Sequence, residues 1–186
     1  MPMTPERSMP PARWPTLVLA ALAAGCLGGM PGAPAPGGAA ASATLSPTAG
    51  NAAAGSVRFV QRGARTLVEA RVTGLAPGSE HGFHVHERGD CSAPDALSAG
   101  GHFNPGGQPH GFPGAAARHA GDLPSLLADA QGVATVRFDS ELLAVSDGAA
   151  SVVGRSVIVH RDPDDYRTQP TGNSGARLAC GVVRAG

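Results

Sequence analysis

Six of the seven histidines in this chain fall in a pattern that could hold metal. In Gly82-Phe83-His84-Val85-His86 the two histidines are two residues apart, so an extended backbone projects both from one face while Phe83 and Val85 project from the other. His102, His110, His119 and Asp122 follow in a Gly-rich stretch, and three imidazoles with one carboxylate suit a tetrahedral zinc site. His160 closes a later apolar run, where a further imidazole would complete the all-nitrogen, near-square environment that copper prefers. Each piece has a blander reading. A His-x-His pair on a strand can simply be exposed or hydrogen-bonded, and a loop can carry histidine for packing. His81 points to the same face as Phe83 and Val85, so it is read as a structural histidine hydrogen-bonded to backbone rather than a ligand.

Strands must position these side chains. Val57 and Phe59 alternate with polar residues, as do Val68, Ala70 and Val72 against Glu69 and Arg71, and Ala134, Val136 and Phe138 against Thr135 and Arg137. Shorter apolar runs at 156–159 and 181–183 extend the set, and turn residues such as Gly63, Gly74-Leu75-Ala76-Pro77-Gly78 and Ser146-Asp147-Gly148 separate the runs. Helix signals are nearly absent and no internal repeat is visible. The reading is all-β, an antiparallel barrel or sandwich of about eight strands with Greek-key connections. Two segments, 87–125 and 161–178, are longer than ordinary connections, and they carry most of the chemistry.

The chain has 27 Gly and 17 Pro with only 4% aromatic residues, a composition of loop-rich β structure. A formal net charge of zero speaks against a nucleic-acid footprint. All 14 basic residues are arginine, so attraction of an anion must come from arginine or metal. At the start, Arg7 and Arg13 precede an apolar run at 14–24 that is too short for a membrane span and reads as a signal peptide, 1–25. It ends in Leu22-Ala23-Ala24-Gly25-Cys26, which resembles the lipobox of bacterial lipoproteins, with Cys26 as the lipidated residue. Ordinary signal cleavage is the alternative. A Gly/Pro/Ala-rich tether is expected over 26–42, leaving 43–186 as the domain. The remaining cysteines, Cys91 and Cys180, make one disulfide the expectation in an exported chain, with two free thiols as the alternative.

Longer blocks carry a family resemblance. Gly82-Phe83-His84-Val85-His86-Glu87-Arg88-Gly89-Asp90 is similar to the first signature of the Cu/Zn superoxide dismutases, and Gly172-Asn173-Ser174-Gly175-Ala176-Arg177-Leu178-Ala179-Cys180-Gly181 to the second. Ala99-Gly100-Gly101-His102-Phe103-Asn104-Pro105, His119-Ala120-Gly121-Asp122-Leu123 and Val157-Ile158-Val159-His160 also match, in order. The cysteine following Gly89-Asp90, and Asp165-Tyr166 followed by Gln169-Pro170, resemble the bacterial branch.

The resemblance implies an eight-stranded antiparallel Greek-key barrel with a long zinc-binding loop and an electrostatic loop. It implies copper on His84, His86, His102 and His160, and zinc on His102, His110, His119 and Asp122, with His102 bridging as an imidazolate and exchanging a proton. It further implies Asp164 joining His84 to His110, a Cys91–Cys180 disulfide, and Arg177 docking superoxide, which is dismuted to oxygen and hydrogen peroxide. Arg167 could add steering where other members carry lysine. The expected setting is the periplasm or cell envelope, with membrane contact only through a lipid on Cys26, no nucleic-acid partner, and a monomer or homodimer. Competing readings are a copper carrier, a copper-only dismutase, a mononuclear zinc hydrolase on His110, His119 and Asp122, and a structural protein stabilised by metal.

Overall fold

The computed structural model describes residues 38–186; the expected leader, Cys26 and most of the expected tether lie outside the described residues. The strands are β1 (Ala40–Pro47), β2 (Ala54–Arg62), β3 (Arg65–Thr73), β4 (Glu80–His81), β5 (Phe83–His86), β6 (Leu126–Leu127), β7 (Ala134–Ser140), β8 (Ser156–His160), β9 (Arg177–Val182) and β10 (Arg184–Ala185). The one helical element among the described residues is a single 3-10 turn, Leu97–Ala99.

Alternation explains β2, β3 and β7. Val57, Phe59, Val68, Val72 and Ala134 are fully buried on one side, while Glu69 sits on the other between Arg58 at 3.7 Å and Arg137 at 3.0 Å. The buried faces meet Phe83, Val85, Val157, Val159 and Ala179 from β5, β8 and β9 in one core. Burying each large apolar side chain contributes about 1.5–3 kcal/mol, so this shared core holds the sheet curled.

The strand order is β5-β8-β9-β1-β2-β3-β7, with β10 on β1 and a separate β4–β6 pair. Neighbours distant in sequence, β5 with β8 and β3 with β7, are the crossovers of a Greek key, and the named pairs are antiparallel. β1 is the seam: Ala40 to Leu45 pair with β2, and Ser46 and Pro47 pair with Cys180 and Ala179 of β9. It begins three residues inside the segment read as tether. Ala41 and Ala43 face the core there, and residues so small give almost no apolar signal in sequence.

The two long segments stay irregular apart from the 3-10 turn Leu97–Ala99 in the first and residues 177–178 of the second, which open β9. β5 has β8 on one edge only, and the loop covers the other. Val85 N–H donates to Gly121 O at 3.0 Å, and Phe103 N–H to Val85 O at 2.8 Å. These bonds satisfy buried backbone groups and set His102 and Asp122 directly beside His86 and His84. A Cβ at Gly121 would overlap Val85 O and crowd Phe103 N, so only glycine permits this approach. The loop is also stapled by Cys91–Cys180, with Cα atoms 5.8 Å apart across 89 residues. Closing so long a loop removes unfolded-chain entropy, and a disulfide of this kind contributes about 2–4 kcal/mol.

Candidate metal centre

Fourteen ring nitrogens enter this region from seven histidines, and hydrogen bonds decide which of them are free. His81 is the outlier. Its Nδ1 donates to His160 O at 2.8 Å and its Nε2 lies 2.6 Å from Ser79 Oγ, so it supports a backbone rather than offering a lone pair. The other six divide into two groups that share His102: His84, His86, His102 and His160, and His102, His110, His119 and Asp122, with donor atoms within 4.8 Å of one another in each group.

In the first group every ring has one nitrogen engaged and the other bare or facing another ring. His84 Nε2 donates to Asp164 Oδ2 at 2.7 Å, leaving a buried Nδ1 without a partner. His86 Nδ1 donates to Gly100 O at 2.9 Å, and its Nε2 faces His160 Nε2 at 3.3 Å, while His160 Nδ1 is 3.3 Å from Gly175 O. His102 Nε2 is buried and unpartnered as well. Buried polar atoms are nearly always satisfied, so four converging imidazole lone pairs call for a cation. Burial pushes His84, His86 and His160 below the ordinary imidazole range and His102 down to about 4, so these rings are neutral and ready to donate near pH 7.

The second group closes on Asp122. Its Oδ1 lies 3.0 Å from His102 Nδ1, 2.9 Å from His110 Nδ1 and 3.2 Å from His119 Nδ1. Its Oδ2 accepts from Gly111 N–H at 3.0 Å and His119 N–H at 2.9 Å, which fixes the carboxylate. Burial opposes the Asp122 charge, but hydrogen bonds from the three histidines hold its carboxyl well below the usual range. Three nitrogens and one oxygen in a buried cluster fit a closed tetrahedral zinc site.

Asp164 joins the groups. One oxygen accepts from His84 Nε2 and the other from His110 Nε2 at 2.9 Å. Gly172 makes room for it, because a Cβ there would overlap Asp164 Oδ1 and His110 Nε2. His110 thus has a carboxylate on each ring nitrogen. Burial opposes its charge, yet Asp122 and Asp164 together raise it to about 9.

A cavity of about 550 Å³ opens over the first group, lined by His86 and His160 together with Arg177, Asp95, Leu97 and Thr48. The Arg177 guanidinium donates to Ala96 O and Gly100 O, each at 2.6 Å. Gly100 O therefore serves both Arg177 and His86, a connection that no motif reveals because it runs through a backbone carbonyl. Burial lowers the guanidinium somewhat, but arginine remains a cation at physiological pH. Arg167 is exposed and does not line this cavity.

The sequence comparison decides the family. The description "Copper/zinc superoxide dismutase (SODC)" matches residues 53–183. The chain belongs to the copper/zinc superoxide dismutase family. It is 37% identical over 134 residues to Superoxide dismutase [Cu-Zn] 2 of Aquifex aeolicus (strain VF5), covering 70% of this chain and 78% of that one. Superoxide dismutase [Cu-Zn] of Paramecium bursaria Chlorella virus 1 is 39% identical, covering 69% of this chain and 71% of that one. A solved structure titled "Crystal Structure Analysis of the clock protein EA4" superposes with a TM-score of 0.71 at 38% identity, covering 78% of this chain and 93% of that one. This superoxide dismutase uses copper and zinc and converts superoxide to oxygen and hydrogen peroxide. Its disulfide is the chemistry of an oxidising, extracytoplasmic compartment.

The cavity of the dismutase has one cation, Arg177, and one carboxylate, Asp95, among its lining residues. With no lysine in the chain, Asp95 offsets the pull on an anion. At a separation of roughly 10 Å in water a unit charge is worth about 0.4 kcal/mol, or about a twofold rate change. Asp95→Asn is expected to raise the second-order rate about twofold at low salt, with the gain vanishing at high salt; fast-kinetic rates against ionic strength check it.

Proposed function

We propose that His84, His86, His102 and His160 hold copper, that His102, His110, His119 and Asp122 hold zinc, and that Arg177 docks superoxide beside the copper group. The observation that carries this is the orientation of His102, whose Nδ1 belongs to the Asp122 cluster while its buried Nε2 has no protein partner and belongs to the all-histidine group. The all-nitrogen set suits copper and the mixed set suits zinc.

Copper when bound supplies one-electron chemistry and zinc a fixed charge, so that two superoxide anions and two protons give one oxygen and one hydrogen peroxide. The protein sets the conditions for that. Arg177, aimed by Ala96 O and Gly100 O, presents a fixed fork of donors to an anion entering the cavity. Its rigidity lowers the entropy cost of docking. His102 Nε2 is the ring nitrogen able to take up and return a proton, because Nδ1 is committed to Asp122. Asp164 keeps the His84 proton on Nε2 and so leaves Nδ1 as the donor atom.

The domain, whose first strand opens at Ala40 rather than after residue 42, is further read as that of an exported lipoprotein of the periplasm or cell envelope, with a signal peptide at 1–25, a tether from residue 26 up to that strand and a lipid on Cys26. The leader pattern and the disulfide support this. Each chain supplies complete donor sets for one copper and one zinc, so a monomer or a homodimer serves equally.

The test is metal counting and superoxide decay on protein loaded with both metals. One copper and one zinc per chain are expected, with Arg177→Ala keeping both metals and losing about tenfold or more in rate. An Arg177→Ala protein of unchanged rate across salt concentrations would overturn the docking role, and a chain saturating with a single metal would overturn the paired site. Mass spectrometry of the mature N-terminus tests the lipid on Cys26.

A further inference from the structure

The segment around Asp165-Tyr166 and Gln169-Pro170 has no part in the chemistry above, yet its contacts converge on one residue. Gln169 Oε1 accepts from the His110 backbone N–H at 2.8 Å, and Gln169 Nε2 donates to the His110 backbone O at 2.9 Å. A single side-chain amide therefore pairs with both main-chain groups of a residue 59 positions earlier, as a neighbouring strand would. No main-chain partner serves either group among the described residues. The loop here has no strand to fix it, and the flanking Gly106, Gly107 and Gly111 leave its backbone permissive.

The rest of the segment braces that amide. Gln169 Nε2 also reaches Arg167 O at 3.3 Å. Asp165 folds the turn, accepting from Arg167 N–H and Thr168 N–H, both at 2.8 Å, and from Thr168 Oγ1 at 2.6 Å. Tyr166 N–H donates to Asp164 Oδ1 at 2.7 Å, the oxygen that also takes His110 Nε2. The Tyr166 ring lies nearly parallel to the His110 ring, at 12° and 6.4 Å between centroids. Its hydroxyl accepts from Ser125 N–H at 2.9 Å, at the far end of the zinc loop. Asp164 thus holds the ring of His110, and Gln169 holds its backbone.

We propose that Gln169 is a positioning residue for zinc: by clasping both main-chain groups of His110 it presets His110 Nδ1 within the donor set, so zinc does not have to order this loop on binding. This rests on the reading of His110 as a zinc ligand. Bonds that orient metal ligands are worth about 10–100-fold in affinity, and the clasp falls in that class.

The test uses the full-length protein and three variants, Gln169→Met, Gln169→Ala and His110→Ala. Zinc affinity is read by chelator competition, and the zinc site by the visible spectrum of cobalt(II) bound in place of zinc. Gln169→Met keeps the length of the side chain and removes both hydrogen bonds. It is expected to weaken zinc about tenfold to a hundredfold and to alter the cobalt bands, with Gln169→Ala matching it. Gln169 is exposed, so the methionine variant is expected to fold even where the alanine variant does not. Wild-type zinc affinity and cobalt bands in Gln169→Met would overturn the proposal, including the case in which Gln169→Ala alone is impaired, because bulk rather than hydrogen bonding would then be responsible. If His110→Ala loses zinc while Gln169→Met does not, only the clasp fails. If His110→Ala itself keeps wild-type zinc affinity, the ligand reading fails first.

Discussion

Replacing His160 with alanine is expected to abolish copper retention and reduce superoxide dismutation to background, while zinc stays bound. His160 Nε2 faces His86 Nε2 at 3.3 Å, and the other nitrogen of each ring is turned toward a carbonyl. Removing one ring leaves three imidazoles in a buried pocket that burial keeps neutral. The loss must exceed the roughly 10–100-fold cost of removing an orienting partner, since a donor itself is gone. His160 takes no part in the Asp122 cluster, so zinc content should hold at one per chain. Elemental analysis and superoxide decay on the same sample check this. Full activity at wild-type copper content would refute the placement of His160 in the copper group.

A pH titration of zinc binding to the metal-free protein should give the second large effect. His110 lies between Asp122 on Nδ1 and Asp164 on Nε2, and its imidazole is raised to about 9 from an ordinary 6.5. Below about 9, therefore, Nδ1 carries a proton that zinc must displace. Affinity is expected to climb about tenfold per pH unit from 6.5 toward 9 and then level, whereas copper affinity should stay nearly flat over that range because its four rings are already neutral.

Folding stability of the metal-free domain has the opposite sign. A group with a raised folded value stabilises fully below its unfolded value, so the His110 contribution is complete below 6.5 and lost as pH rises through 9. Asp122 and Asp164 have depressed values, so their contributions are present above an unfolded value of 3.8 and lost in acid. Chelator competition at several pH values, paired with thermal unfolding of the metal-free protein, reads both trends. A zinc affinity independent of pH between 6.5 and 9 would show that His110 holds no such proton.

Much of this was legible from residue types and spacing. The alternation in β2, β3 and β7 shows because large apolar residues occupy every second position, and β1 hides at its start because Ala41 and Ala43 are small. Strand periodicity separates His84 and His86 from His81, whose ring supports the His160 backbone. The Asp165-Tyr166 and Gln169-Pro170 pattern stands out as a branch feature, but nothing in it says that Gln169 reaches His110. Hydrogen bonds to main-chain atoms leave no mark in the identity of the accepting residue, which is why the Gly100 carbonyl shared by His86 and Arg177 is equally silent.

The sequence by itself determined the candidate donor types, their order along the chain, the cysteine pair and the family, because each depends on local chemistry or on blocks of adjacent residues. Only the tertiary structure decided that His84 Nδ1 and His102 Nε2 are left without a partner, that Asp164 spans His84 and His110, and that loop 87–125 completes the open edge of β5. Those are long-range facts. They follow from buried polar groups finding partners once the sheet has curled, and the partner lies wherever the fold brings it rather than at a fixed distance along the chain.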